Sequence, residues 1–275
     1  MYQDLSGKVA VVTGSGREAG IGFAIARRLH EEGCSVVLTD IGAPRGEHFP
    51  SGAIGELDEM RRLADALGAE DTLTLACDVT SETDVAAAVQ AVVATHGRLD
   101  IWVNNAGVGY LMKPIVEMSV QEWDTVLDVN LRGAFLGIKY AGAQMQKQGA
   151  GSIINIGSQA SKSGFGHASA YTASKHGLVG LTRSAALELG ESGVRVNTVC
   201  PNHITTGLGA WQNSHFSQLQ GLSEDDYLAA MRARIPLGRP GRQRDIADAC
   251  AFLASDQACY VTGECMNVSG GEEYH

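Results

Sequence analysis

The sequence has little of what marks a multidomain, secreted or nucleic-acid-binding chain. Prolines number six in 275 residues, and no Pro/Ser-rich linker, repeat or low-complexity tract interrupts the chain, so one domain over 1–275 is expected. Lysine and arginine total 21 against 31 aspartates and glutamates, a formal charge of −10. That balance argues against nucleic acid or an anionic membrane as partner, because both demand clustered cations. None of the six cysteines lies in a CxxC pair, and the eight histidines form no HExxH or Cys/His cluster. The thiols therefore read as reduced core residues of a cytoplasmic protein, and no metal site is expected. No charged start with an apolar segment precedes Lys8, and no apolar run approaches the roughly 18 residues of a membrane span, so neither export nor insertion is expected. What is present, 44% hydrophobic residues and 34 glycines, suits a soluble globular protein acting on a small molecule.

Strand-like and helix-like stretches alternate from end to end, the pattern of a parallel sheet covered on both faces. Strands are expected at Val9 to Thr13, Ser35 to Thr39, Thr72 to Cys77, Leu99 to Asn104, Ser152 to Ile156, Arg195 to Cys200 and Cys265 to Val268. Helices are expected at Ile21 to Glu32, around Ile54 to Leu67, after Ser81 and Ser119 with capping-box acids at Asp84 and Glu122, and at Ser169 to Leu189. The fold class expected is therefore α/β, a single doubly wound Rossmann-type domain with a seven-stranded parallel sheet and helices on both faces. Two stretches break the regularity: a turn-rich loop at 42–53 and a substrate loop at about 207–235.

After the first strand comes Thr13-Gly14-Ser15-Gly16-Arg17-Glu18-Ala19-Gly20-Ile21-Gly22, opening into a helix. Glycines let the backbone approach a pyrophosphate, which the free N–H groups and dipole of the helix stabilise. Asp40, twenty residues beyond Gly20, is placed to accept hydrogen bonds from adenosine ribose hydroxyls and to repel a 2′-phosphate, which predicts NAD rather than NADP. Arg17 and Arg45 are the residues that could reverse this preference. Asp78-Val79 and Asn104-Asn105-Ala106-Gly107 end the third and fourth strands, where ligands of open α/β sheets bind. Asp78 is placed to face the adenine.

Tyr171 and Lys175 lie four residues apart on a predicted helix, hence on one face. An ammonium about 5 Å away, in an effective dielectric near 20, favours a phenolate by roughly 3 kcal/mol, or about two pK units, enough to bring tyrosine toward use as a base. Ser158 ends the fifth strand thirteen positions earlier, so strand end and helix start can converge on one reacting oxygen.

On these motifs the chain resembles the short-chain dehydrogenase/reductase family over essentially its full length. The matching elements are the glycine loop from Thr13 to Gly22, Asp78-Val79, the Asn-Asn-Ala-Gly of 104–107, Asn130, Ser158, the Tyr171/Lys175 pair, Pro201-Asn202-His203-Ile204-Thr205-Thr206, Val261-Thr262-Gly263 and Gly270-Gly271. The resemblance implies a catalytic set of Asn130, Ser158, Tyr171 and Lys175, with Asn130 holding a water that joins Lys175 to a proton relay. It implies that Lys175 binds the nicotinamide ribose, that Ile204 and Thr206 contact the carboxamide end, that Asn105 supports the adenine ribose side, and that no metal takes part. The full cofactor set is Gly14, Gly16, Arg17, Gly20, Ile21, Asp40, Ile41, Asp78, Val79, Asn105, Ala106, Gly107, Tyr171, Lys175, Pro201, Ile204 and Thr206. A homotetramer is implied, built through the helices that hold Tyr171 and Asn130.

Three departures stand out. The glycine loop has five residues between Gly14 and Gly20, where three are usual, the usual Pro-Gly turn is Pro201-Asn202, and the 42–53 loop is longer than usual. Substrate walls are expected from Ser158, Gln159, Tyr171, Tyr110, His167, His203 and Trp211, a mix that suits a sugar, polyol or other polar alcohol. The expected function is NAD-dependent interconversion of a secondary alcohol and its ketone. The alternatives are a ketoacyl-type carbonyl reductase using NADPH, against which Asp40 argues, and a non-catalytic NAD-sensing protein, against which the intact Tyr171/Lys175 pair argues.

Overall fold

A computed structural model describes residues 2–49, 52–68, 72–204 and 206–273. Pro50 and Ser51 of the 42–53 loop, and Thr205 of the 201–206 motif, lie outside the described residues. Seven parallel strands, β1 (Val9–Thr13), β2 (Ser35–Asp40), β3 (Thr72–Ala76), β4 (Ile101–Asn104), β5 (Gly151–Ile156), β6 (Val194–Pro201) and β7 (Cys265–Val268), are ordered β3-β2-β1-β4-β5-β6-β7. The order reverses between β1 and β4, and it is outside the carboxyl ends of strands at such a reversal that a crevice opens.

Every residue of β1 is buried, because the sheet is covered twice. Ala10 and Val12 pack with Ile25 and Leu29 of α1 (Ile21–Glu31) on one face. On the other, Val9 and Val11 pack with Val85 and Val92, which belong to the third helix described below. The apolar alternation of a half-buried strand is therefore absent from the sequence, and a continuous Val-rich run stands in its place.

The helices that follow are α2 (Leu57–Leu67), α3 (Glu82–His96), α4 (Val120–Leu127), α5 (Gly133–Gln148) and α6 (Ser169–Leu189). Ser81 caps α3 by accepting from Asp84 N, and Ser119 with Glu122 closes a full capping box on α4. A π turn at Asp128–Arg132 joins α4 to α5 and carries Asn130. Such turns are rare and cluster at functional sites.

Two expectations change. Helix α2 begins at Leu57 rather than Ile54, because Gly55 O and Glu56 turn back to pair with Gly42 at the end of β2. The 207–235 stretch is two helices, α7 (Gly207–Leu219) and α8 (Glu224–Arg234), rather than a loop. Thr206 caps α7 through Gly209 N, and Ser223 caps α8 through Asp226 N. Helix α9 (Gln243–Ala254) then packs Ile246 and Leu253 beside α1 in the first core. Of the cysteines, four are buried, Cys265 is half-buried and Cys259 is exposed, all as thiols. Among the described residues no helix is long and apolar enough to cross a membrane.

Candidate active site

The carboxyl ends of β1, β4 and β5 open onto a cleft lined by the glycine loop, Asp40, the 105–108 segment and the Ser158 and Tyr171 side chains. Its floor is the glycine loop laced to the 104–107 segment. Thr13 Oγ1 accepts from Asn105 N at 3.0 Å and Ala106 N at 3.1 Å, and Asn105 Nδ2 donates to the carbonyls of Thr13 and Gly14. Gly14 adopts φ +62°, and a Cβ there would meet Ala106 Cα at 2.7 Å. At Gly22, in the first turn of α1, a Cβ would meet Gly14 O at 2.5 Å. We expect Gly22→Ala to destabilise the fold by about 1–3 kcal/mol, since the obstacle is backbone, and to weaken dinucleotide binding. Thermal denaturation with and without NAD measures both.

No side chain caps α1 at Gly20, so its first-turn N–H groups remain donors at the edge of a cleft that Gly14, Gly20 and Ile21 line. That is what a pyrophosphate requires. Asp40 lines the same cleft. Its carboxylate accepts from Gly16 N at 3.1 Å, Ile41 N at 2.9 Å and Gly55 N, and burial nonetheless pushes its pKa up. A carboxylate has about four acceptor positions, so capacity for ribose hydroxyls remains. Among the expected cofactor residues, Arg17, Ile41, Asp78, Val79, Asn105, Ala106, Gly107, Tyr171, Lys175, Pro201, Ile204 and Thr206 line this cleft. Gly16 does not line it, and packs instead beneath Asp40 and Gly55.

The segment after Gly42 straps the outer wall. Arg17 Nη1 donates to Gly52 O at 2.7 Å, Arg45 pairs with Asp78 at 2.8 Å, and the Tyr110 hydroxyl donates to His48 O. Both arginines that could have received a 2′-phosphate are thus engaged, and the Asp78 carboxylate is taken by Arg45 and Thr80.

Ser158, Tyr171 and Lys175 converge where this cleft meets a second cavity; Ser158, Tyr171 and Asn202 line both. The Ser158 hydroxyl bonds the Tyr171 phenol, which draws the phenol's pKa down, but burial outweighs it and the pKa is raised. Lys175 is 4% exposed, donates to Ile156 O at 2.7 Å, lies 5.6 Å from the Tyr171 ring centre and is itself pushed down to about 8 by burial. The expected depression of the phenol by its ammonium neighbour is therefore not found in the protein alone: desolvation is the larger effect. Asn130 is 2% exposed, accepting from Val108 N and donating to Val108 O and Ser174 Oγ. A Cβ on Gly107 would sit 3.3 Å from Asn130 Oδ1 and 3.9 Å from Lys175 Nζ, so the glycine keeps open the space between them.

Of the expected substrate walls, Ser158, Gln159, Tyr171 and His203 line the second cavity. Tyr110 lies in the first cleft, its hydroxyl occupied by the strap. His167 and Trp211 are outside both linings: Trp211 stacks on His215 at 5.0 Å, and His215 meets His167 at 5.8 Å, bracing α7. The cavity's remaining walls, among them Phe216, Tyr227, Met231, Arg234 and Glu272, were not anticipated. Ser223 with Asp226 is a visible helix start that would have revealed α8, but nothing local connects it to Glu272.

A family model described as enoyl-(acyl carrier protein) reductase matches residues 14–273. The chain is 39% identical to cis-4-hydroxycyclohexanecarboxylate dehydrogenase of Sinomonas cyclohexanicum, over 98% of each chain. Its structure is similar to that of NAD+-bound xylitol dehydrogenase, with a TM-score of 0.85 and 29% identity over 97% of this chain and 99% of that one. It is also similar to a tryptophan-substituted variant of actinorhodin polyketide ketoreductase with NADPH, with a TM-score of 0.86 and 34% identity over the whole of both chains.

Proposed function

The chain belongs to the short-chain dehydrogenase/reductase family, and on that premise we propose that it is an NAD-dependent oxidoreductase interconverting a secondary alcohol, such as a sugar, polyol or other polar alcohol, with its ketone. That it oxidises hydroxyl groups or reduces keto groups with a nicotinamide cofactor follows from the relatives it matches. The observation that carries the finer reading is the convergence of Ser158, Tyr171 and Lys175 at the junction of the two cavities.

When bound, NAD supplies the hydride acceptor and a positively charged ring. Gly14, Gly20 and Ile21 would hold its pyrophosphate, Asp40 its adenosine ribose, and Lys175 its nicotinamide ribose. Ser158 holds the reacting oxygen by a hydrogen bond, and Tyr171 takes or returns the proton on that oxygen. Both act from fixed strand and helix ends, so little reorganisation accompanies the reaction. Lys175, poised near its own titration at about 8, is charged at pH 7 and favours the phenolate. Asn130, across the space left by Gly107, positions a water on the solvent side of Lys175.

Asp40 supports NAD, and Arg45 is held by the Asp78 carboxylate. Removing the carboxylate with Asp40→Ser is expected to lower the ratio of kcat/KM for NAD over NADP by about tenfold or more, the value of one charge-assisted hydrogen bond. An unchanged ratio would favour the ketoacyl-reductase alternative that uses NADPH. The defining assay is NADH formation across a panel of sugars, polyols, hydroxy acids and alicyclic alcohols, with NADP in parallel. Turnover with NADP alone would overturn the cofactor assignment.

The same reading makes the enzyme a cytoplasmic homotetramer. Exposed Val120 and Phe135 on α4 and α5, and Leu187 on α6, support association through these helices, and light scattering measures the mass.

A further inference from the structure

The second cavity holds a feature that alcohol oxidation does not require. Its lining joins Ser158 and Tyr171 to the apolar Met112, Phe165, Phe216, Leu219 and Met231, and Arg234 is the only lysine or arginine among the described residues lining it. Arg234 sits in the last turn of α8. Its Nε donates to Glu272 Oε1 at 3.2 Å, and Glu272, 14% exposed, also accepts from Asn202 Nδ2. Neither Nη group has a partner among the described residues, and the side chain is 58% exposed.

This order of contacts has a direction. Asn202 stands where the Pro-Gly turn of the resembling family would have no side chain, and it lines both cavities. Through Glu272 it fixes the Nε edge of Arg234, so one edge of the planar guanidinium is spent on the protein. The Nη edge keeps its fork of donors, whose geometry matches a carboxylate. The neighbouring His203 does not compete for an anion, because burial holds its pKa down and it is neutral at pH 7. The chain as a whole repels anions through its charge of −10, so an anionic ligand needs a dedicated cation of this kind.

We infer that Arg234 recognises a carboxylate at the far end of the substrate, so that the preferred substrates are hydroxy acids with an apolar body between the carbinol and the acid. The inference rests on the reading of this cavity as the place of alcohol oxidation. A bound carboxylate uses the Nη edge while Glu272 keeps Nε, and the two anions share one guanidinium from different sides. Glu272 offsets part of the charge, so discrimination in the tens, not the thousands, is expected.

The test compares a hydroxycyclohexanecarboxylate with the matching carboxamide, a neutral analogue of the same shape, in the wild type, Arg234→Gln and Arg234→Lys. We expect Arg234→Gln to lower kcat/KM for the acid about 10- to 100-fold, chiefly through KM, and to change the amide by less than about twofold. Arg234→Lys should recover part of the loss. Thermal shift by non-reacting cyclohexanecarboxylate in the presence of NAD, absent with cyclohexanecarboxamide, reads binding without turnover and should vanish in Arg234→Gln. Equal use of acid and amide by the wild type, or an equal fall for both in Arg234→Gln, overturns the inference and leaves alcohol oxidation standing. An Arg234-dependent shift with no hydride transfer to NAD from any alcohol overturns the reaction and leaves the carboxylate site. No shift and no turnover overturns both.

Discussion

Tyr171→Phe lowers kcat by about 10²- to 10⁴-fold, the range of a positioned acid or base, while the dissociation constant for NAD stays within a few-fold. The ring remains and only the hydroxyl is lost, so its packing against the cluster of Val108, Val126, Val129 and Ala170 persists and the thermal midpoint should not fall. Three features make the effect large. The phenol bonds Ser158, both residues line the junction of the two cavities, and no other tyrosine among the described residues lines both. Burial raises the phenol's pKa in the protein alone, so without bound cofactor it is protonated well above pH 7. Stopped-flow kinetics and isothermal titration of NAD distinguish the two parameters. A variant that retains wild-type turnover would move the proton transfer elsewhere and sink the proposed mechanism.

Lys175→Met is expected to separate activity from stability. Turnover falls by about 10²-fold or more, since the cation that favours the phenolate is removed. Stability moves the other way near neutrality. Burial lowers the Lys175 pKa from 10.5 to about 8, and a displacement of that size corresponds to roughly 3 kcal/mol against keeping the ammonium inside the folded protein. Loss of the bond to Ile156 O returns about 1–3 kcal/mol of that. The net gain at pH 7 is about 1 kcal/mol, or a rise of roughly 2–4 °C in Tm for a chain of this size. The sign follows from proton uptake. Between about pH 8 and 10.5 the unfolded wild type binds a proton that the folded protein has released, so wild-type stability rises with pH across this window. The Met variant lacks that slope. Its advantage should therefore shrink above about pH 8 and reverse by about pH 10.5, where the unpaired Ile156 carbonyl remains. Parallel Tm curves for the two proteins across this window would show that burial does not depress the lysine.

The legible part of this protein is what local chemistry encodes. The Val-rich run of β1 is readable because strands buried on both faces cannot alternate. The helix starts at Ser81 and Ser119 are readable because their hydroxyls and the acids three residues on satisfy orphan backbone donors. Asp40 and the glycine loop are readable because spacing along one βαβ unit places both. The same logic was available for α8 at Ser223 and Asp226, but the polar composition of the segment obscured an amphipathic period whose buried residues are Tyr227 and Met231.

Residues from distant parts of the chain are a different matter, since only packing decides whether they meet. Order and spacing along the sequence determined the parallel sheet, the dinucleotide cleft and the Ser158, Tyr171 and Lys175 set, because each depends on one strand end and the helix that follows it. The tertiary structure alone decided that Tyr110 faces the strap, that His167 and Trp211 brace α7 through His215, and that Asn202, Glu272 and Arg234 join across the second cavity. It also decided the protonation balance at Tyr171: a charge four residues away can be read from sequence, but the loss of water around the phenol, the largest effect on its pKa, is a property of the assembled fold.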